Sequence, residues 1–104
     1  MRERLPNRRE STILEVWHAN HRHHVSYSLG TNGRIAEVFA HGPKAGSEAD
    51  SILASACASI SISLQHGVPL EELASATERL EDNQPADIIG RILVTLLKEQ
   101  THEQ

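Results

Sequence analysis

The stretch "HHVSYSLGTNGRIAEVFAHGPKAGSEAD", residues 23–50, decides the fold of this chain. Its first seven residues alternate in character and place Val25, Tyr27 and Leu29 on one face, which is the period of a half-buried strand. Residues 34–40, "RIAEVFA", are again typical of a strand, with Ile35 and Phe39 as its prominent apolar residues. The stretch therefore predicts two strands followed by the start of a helix.

The two strands are predicted to form a hairpin. Asn32-Gly33 lies between them, and this dipeptide is a strong hairpin signal because both central residues of a type I′ turn need positive φ. Residues 12–18, "TILEVWH", are a further strand, joined to the second by the short link "ANHR". Short links between successive strands predict a three-stranded antiparallel meander.

A long helix is predicted from Ser47 to His66, a segment without proline or glycine. Ser47 is a favourable N-cap, Glu48 and Asp50 suit the first turn, and Gly67 follows as the C′ residue. One apolar stripe is expected to face the core, made of Ile52, Leu53, Ala56, Ile60, Ser63 and Leu64.

Two more helices are expected, one over residues 68–80 and one beginning near Pro85. The fold class is therefore α+β, with the meander followed by three helices packed on one face as a two-layer domain. We expect a flexible basic arm over residues 1–10, a single domain over 11–98 and a frayed tail over 99–104. Two open sheet edges and the wide apolar arc of the last helix favour a homodimer.

The amino-acid composition argues against several classes of function. The 104 residues carry a net charge of -4 and only three aromatic residues, which argues against nucleic-acid binding by base stacking. No segment has the apolar length of a membrane span or a signal peptide, so we expect a cytoplasmic protein that binds no membrane. The single cysteine, Cys57, has small and apolar neighbours and is expected to be a buried thiol.

The candidate binding site is the turn that precedes the long helix. His41, Gly42, Lys44, Gly46 and Ser47 are its candidate ligand-binding residues. The glycines allow close approach of the backbone, Lys44 supplies a positive charge, and the helix N-terminus offers free N–H groups to a phosphate or carboxylate. The same residues also suit simple capping, and the segment lacks the spacing of a P-loop.

The histidines of the first hairpin are the other chemical feature. His21 and His23 could share a face, but no cysteine accompanies them and nearby carboxylates are few, so a solvated hairpin is expected. No motif of nucleophilic or metal-dependent catalysis is present. We expect no catalytic residues, no metal and no cofactor, and an enzyme is not indicated.

The sequence resembles the TSCPD domain, which occurs in the C-terminal part of adenosylcobalamin-dependent ribonucleotide reductases and as small stand-alone bacterial proteins. The resemblance rests on residues 42–47, "GPKAGS", and 64–69, "LQHGVP", and covers about residues 33–97. The signature cysteine of the family is absent, because Gln84 stands before Pro85 where the cysteine is expected. The resemblance implies a shared fold and a shared partner, and no reductase activity.

Three functions follow from these residues. The first is a non-enzymatic accessory or interaction module that binds a protein partner or an anionic ligand through residues 41–47. The second is a nucleotide-binding regulatory protein linked to ribonucleotide reduction. The third is a small histidine-dependent metalloenzyme.

Overall fold

The computed structural model of the protein describes Arg2, Leu5 and residues 10–102. Within these described residues, six elements follow one another: β1 (Thr12–His18), β2 (His21–Leu29), β3 (Ile35–His41), α1 (Glu48–Gln65), α2 (Leu70–Ser75) and α3 (Ile88–His102). The α+β class, with three antiparallel strands before three helices, is confirmed. The basic arm expected over residues 1–10 lies mostly outside the described residues.

The sheet is a meander with the strand order β1-β2-β3 and antiparallel pairing throughout. Ala19 and Asn20 link β1 to β2 with φ values of 50° and 64°, which is the type I′ geometry of a two-residue hairpin. The second hairpin has a different turn from the one predicted. The Gly33 N–H donates to the Gly30 carbonyl at 3.0 Å, and Gly33 has a positive φ whereas Asn32 does not. A turn of this kind requires the left-handed conformation at only one residue, and Gly33 adopts it.

The core lies between the inner face of the sheet and the helices. Its largest fully buried side chains are Tyr27, Ile92, Leu93, Leu96, Val25, Val38 and Cys57. Ile52, which the apolar stripe of the helix places at the core, is exposed instead, and Phe39 is exposed as well. In β3 the inward positions are Val38 and Ala40, so alternation directs Phe39 to the outer face.

Helix α1 packs on β3 and closes its outer edge through side chains. The Val38 N–H donates to Ser61 Oγ at 2.9 Å, and that hydroxyl lies 3.2 Å from the Val38 carbonyl oxygen. Gln65 Nε2 donates to the Ala36 carbonyl at 2.9 Å. Backbone groups of β3 that point away from β2 are thereby hydrogen-bonded, as buried backbone groups require.

Helix α2 ends at Ser75, well before the expected end at residue 80. Hydroxyl groups compete with the helical ladder at this point, because Ser75 Oγ donates to the Glu72 carbonyl and Thr77 Oγ1 donates to the Ala74 carbonyl. Beyond them the chain turns back on itself through a bridge between Arg79 and Pro85.

Helix α3 begins at Ile88, three residues after Pro85, and Asp87 caps it by accepting from the Gly90 N–H at 2.8 Å. The helix continues to His102, through most of the segment expected to be a frayed tail. Gln100 explains this continuation, because its side-chain oxygen accepts from the Ile35 N–H at 3.1 Å and ties the last turns to the sheet. No helix within the described residues is long and apolar enough to cross a bilayer.

Candidate functional site

The turn before α1 is a helix cap in which the hydroxyl of Ser47 acts twice. Ser47 has extended backbone angles, and its Oγ accepts from the Asp50 N–H at 3.2 Å. The same hydroxyl donates to the Lys44 carbonyl at 2.8 Å. The predicted N-cap is confirmed, and the hydroxyl is already engaged in holding the loop against the helix.

Asp50 connects the other end of the loop to the first turn of α1. Its Oδ1 accepts from the Gly42 N–H at 2.9 Å. Gly46, between these two attachments, has a φ of 79°, a conformation that glycine adopts without steric cost. The loop between β3 and α1 is therefore held at both ends by hydrogen bonds within the chain.

This loop forms one wall of a cleft with a volume of about 400 Å³. Its other walls come from the β1–β2 hairpin, the first turns of α1 and the start of α3. The lining residues are His18, Ala19, His21, His23, Gly42, Pro43, Lys44, Ser47, Ala49, Asp50, Leu53 and Ile88. We refer to this space as the hairpin cleft.

The hairpin cleft brings together three of the five candidate ligand-binding residues. Gly42, Lys44 and Ser47 line it, whereas His41 and Gly46 do not. His41 lies at the end of β3 opposite His24, where alternation places it on the outer face of the sheet. Gly46 shapes the loop through its positive φ and stays outside the lining.

His23 is the least expected member of the site. It is only 9% exposed, and its Nδ1 has no hydrogen-bond partner within the described residues. The Cδ2–Nε2 edge of the ring faces the loop: a Cβ placed on Gly42 would lie 3.6 Å from Nε2 and 3.8 Å from the Asp50 carboxylate. The solvated hairpin expected from the sequence is therefore wrong for His23.

The remaining histidines of the hairpin have different surroundings. His18 and His21 line the cleft, and the ring Nδ1 of His21 lies 2.9 Å from the Ala19 carbonyl oxygen. His24 is on the opposite, exposed face. Among residues 10–102, no three histidine, cysteine, aspartate or glutamate side chains are arranged to hold a metal ion.

Cys57 lies away from the cleft, buried in α1 against the sheet. Burial raises the pKa of its thiol to about 11, because the thiolate would lose its hydration. The expected buried thiol is confirmed, and its high pKa is the opposite of what a nucleophile needs.

Sequence reasoning missed several residues of the cleft. His23 had a usable signal, since it precedes Val25 and Tyr27 at intervals of two and so shares their inward face. The sequence pattern predicts only that Asp50 lies in the first turn of the helix. Ile88 is 35 or more residues from the rest of the lining in sequence, so only tertiary packing brings it there.

Comparison with known proteins gives a consistent family assignment. The TSCPD domain model matches residues 2–97. A vitamin B12-dependent ribonucleotide reductase of Agrobacterium fabrum is 35% identical over 75 residues, which is 72% of this chain and 6% of that protein. Another of the same name, from Rhodopirellula baltica, is 36% identical over 74 residues, 71% of this chain and 7% of that protein.

The chain thus spans only a small part of the curated relatives that it matches. No solved structure matches it. A family model that covers nearly the whole chain is decisive for its classification. The chain belongs to the TSCPD domain family.

Proposed function

We propose that this TSCPD domain is a non-enzymatic accessory module in ribonucleotide reduction, and that the hairpin cleft binds the anionic group of its ligand. The observation that carries the proposal is the composition of the cleft. Lys44, the N-terminus of α1 and His23 lie around one space of about 400 Å³, beside the apolar side chains of Leu53 and Ile88. Small-molecule sites commonly combine a few polar groups with apolar walls in this way.

Two features of the cleft favour an anion on the Lys44 side. The first N–H groups of α1, at Glu48 and Ala49, have no intrahelical acceptor, and the positive end of the helix dipole lies with them. Lys44 is exposed and carries a full positive charge on a long side chain. Asp50 Oδ1 is hydrogen-bonded to the Gly42 N–H, so its negative charge lies at the Gly42 end of the loop.

Asp50 also gives the ligand a second requirement. Its Oδ1 accepts from Gly42, and no hydrogen bond of Oδ2 occurs within the described part of the chain. A ligand that presents an amino or hydroxyl donor several ångströms from its anionic group would satisfy both ends of the site. A nucleotide has this pair of groups, which supports a nucleotide-binding regulatory protein as the second candidate function.

A thermal-shift titration of the untagged protein tests the proposal. Ribonucleotides, deoxyribonucleotides, sulfate and an acidic peptide are compared as ligands at concentrations well above the expected Kd. A tenfold excess of ligand over Kd stabilises the folded state by about 1.4 kcal/mol, a rise in Tm of about 6 to 11 °C for a domain of this size.

The chain offers a matched control for this titration. Lys44 and Lys98 are its only lysines, both are exposed, and only Lys44 lines the cleft. We expect Lys44→Ala to abolish the shift and Lys98→Ala to retain it. A shift with nucleotides alone assigns the regulatory function, and a shift with the peptide alone assigns a protein partner. Equal shifts in both variants, or none with any ligand, would contradict anion binding in the cleft.

A further inference from the structure

The two edges of the sheet differ in what covers them. The edge of β3 is closed by Ser61, Gln65 and Gln100, as described above. The edge of β1 has no such cover: within the described residues, no group outside β2 hydrogen-bonds to its backbone. An open edge strand is a ready template for another strand.

The first hairpin determines which backbone groups of β1 point to this open edge. In a two-residue type I′ hairpin the closing pair, here His18 and His21, is hydrogen-bonded, and the pairs then alternate. Ile13, Glu15 and Trp17 consequently occupy the pairs that are not hydrogen-bonded. Their N–H and C=O groups point away from β2.

We propose that β1 pairs antiparallel with β1 of a second copy of this chain, centred on Glu15, to form a continuous six-stranded sheet. This register aligns all three outward-pointing residues of each strand, and shifting the centre by one residue leaves some of them without partners. Ile13 then lies opposite Trp17 of the second copy on the outer face, and Leu14 opposite Val16 of the second copy on the inner face. Apolar cross-strand pairs of this kind stabilise sheets.

The charges at the centre of this register balance. Glu15 of each copy lies opposite Glu15 of the other, which alone is unfavourable. However, Arg22 Nη1 is 3.9 Å from Glu15 Oε2 on the same face of the sheet. The pairing therefore places two glutamates between two arginines, without net charge.

The area of the contact follows from its dimensions. Seven residues of strand, at about 3.3 Å each, and a two-layer depth of roughly 20 Å bury about 900 Å² over both copies. Stable interfaces bury about 1,200 to 2,000 Å², so this contact is at the small end and we expect a dimer in equilibrium with monomer. Ile13 and Trp17 are 73% and 58% exposed, so their apolar surface is available for contact with the second copy.

Sedimentation velocity across low-micromolar to millimolar concentrations tests the proposal on the full chain. We expect a monomer–dimer equilibrium in which Ile13→Lys raises the dissociation constant by about tenfold, since a symmetric dimer loses two Ile13–Trp17 pairs at once. Phe39→Lys is the matched control. Phe39 is exposed on the same outer face, but it lies on β3, at the closed edge. It should leave the equilibrium unchanged.

Amide hydrogen exchange tests the register independently of any substitution. The N–H groups of Ile13, Glu15 and Trp17 should gain protection as concentration rises, while those of Leu14 and Val16 should be protected at every concentration. A protein that remains monomeric at millimolar concentration would overturn the proposal. So would a dimer that Phe39→Lys weakens as much as Ile13→Lys, because that result would place the contact on the outer face.

Discussion

Replacing His23 with leucine should make the protein more stable. The ring is 9% exposed and its buried Nδ1 has no hydrogen-bond partner in the part of the chain that the structure describes, so the folded state carries the cost of a desolvated polar atom. That cost is about 1 to 3 kcal/mol for an unsatisfied buried group. Leucine has nearly the volume of histidine and no polar atom, so it would fill the same space beside Val25 without the penalty.

We expect His23→Leu to raise the free energy of unfolding by about 1 to 2 kcal/mol, equivalent to a Tm increase of roughly 4 to 16 °C. Urea denaturation and calorimetry measure both quantities, and an unchanged m-value would show that the denatured state is unaffected. His24→Leu is the matched control. The adjacent residue is exposed on the outer face, so its substitution should change stability by less than about 0.5 kcal/mol.

The same substitution should weaken ligand binding in the hairpin cleft. His23→Leu removes the Nε2 atom that faces the hairpin cleft, so the Tm increase caused by a ligand bound in the cleft should shrink although the free protein is more stable. A loss of 1 kcal/mol or more in the free protein would refute the reasoning. It would mean that the histidine ring supports the fold and is not an unsatisfied group retained for binding.

Three further perturbations test the structure. Ser47→Ala removes the hydroxyl that caps α1 and should lower stability by about 1 kcal/mol in urea denaturation. Ser61→Ala leaves the buried Val38 N–H without an acceptor and should cost about 1 to 3 kcal/mol, whereas Ser59→Ala on the exposed side of the same helix should cost nothing measurable. The folded-state pKa of Cys57 lies above its ordinary value of 9.0. The stability that the protonated thiol contributes is therefore complete below pH 9 and is lost as the pH rises towards about 11. Stability should therefore fall more steeply over that range in the wild type than in Cys57→Ala.

The regular elements of this fold were predictable where local chemistry decides them. Ser47 and Gly67 delimit α1 because a hydroxyl satisfies the N-terminal N–H groups and glycine adopts the positive φ after the last turn. The turns were less predictable. The type I′ geometry occurs at Ala19-Asn20, which carries no glycine, because the register of β1 on β2 leaves two residues to connect the strands.

The candidate site was predictable only in part, and for a physical reason. Gly42, Lys44 and Ser47 are neighbours in sequence, so a local pattern was enough to group them. His23 on β2 and Ile88 on α3 complete the walls of the cleft. Their positions depend on how the layers pack, and a pattern of residue types along the chain does not encode that directly.

The closed edge of β3 also limits how far such molecules can assemble. A filament forms by edge-to-edge pairing only if both edges of each sheet can pair with another copy. Here Ser61 and Gln65 occupy one edge from within the same chain, so growth would stop after a single addition. Together with Gln100 on α3, these two side chains of α1 thus limit edge-to-edge assembly to a dimer.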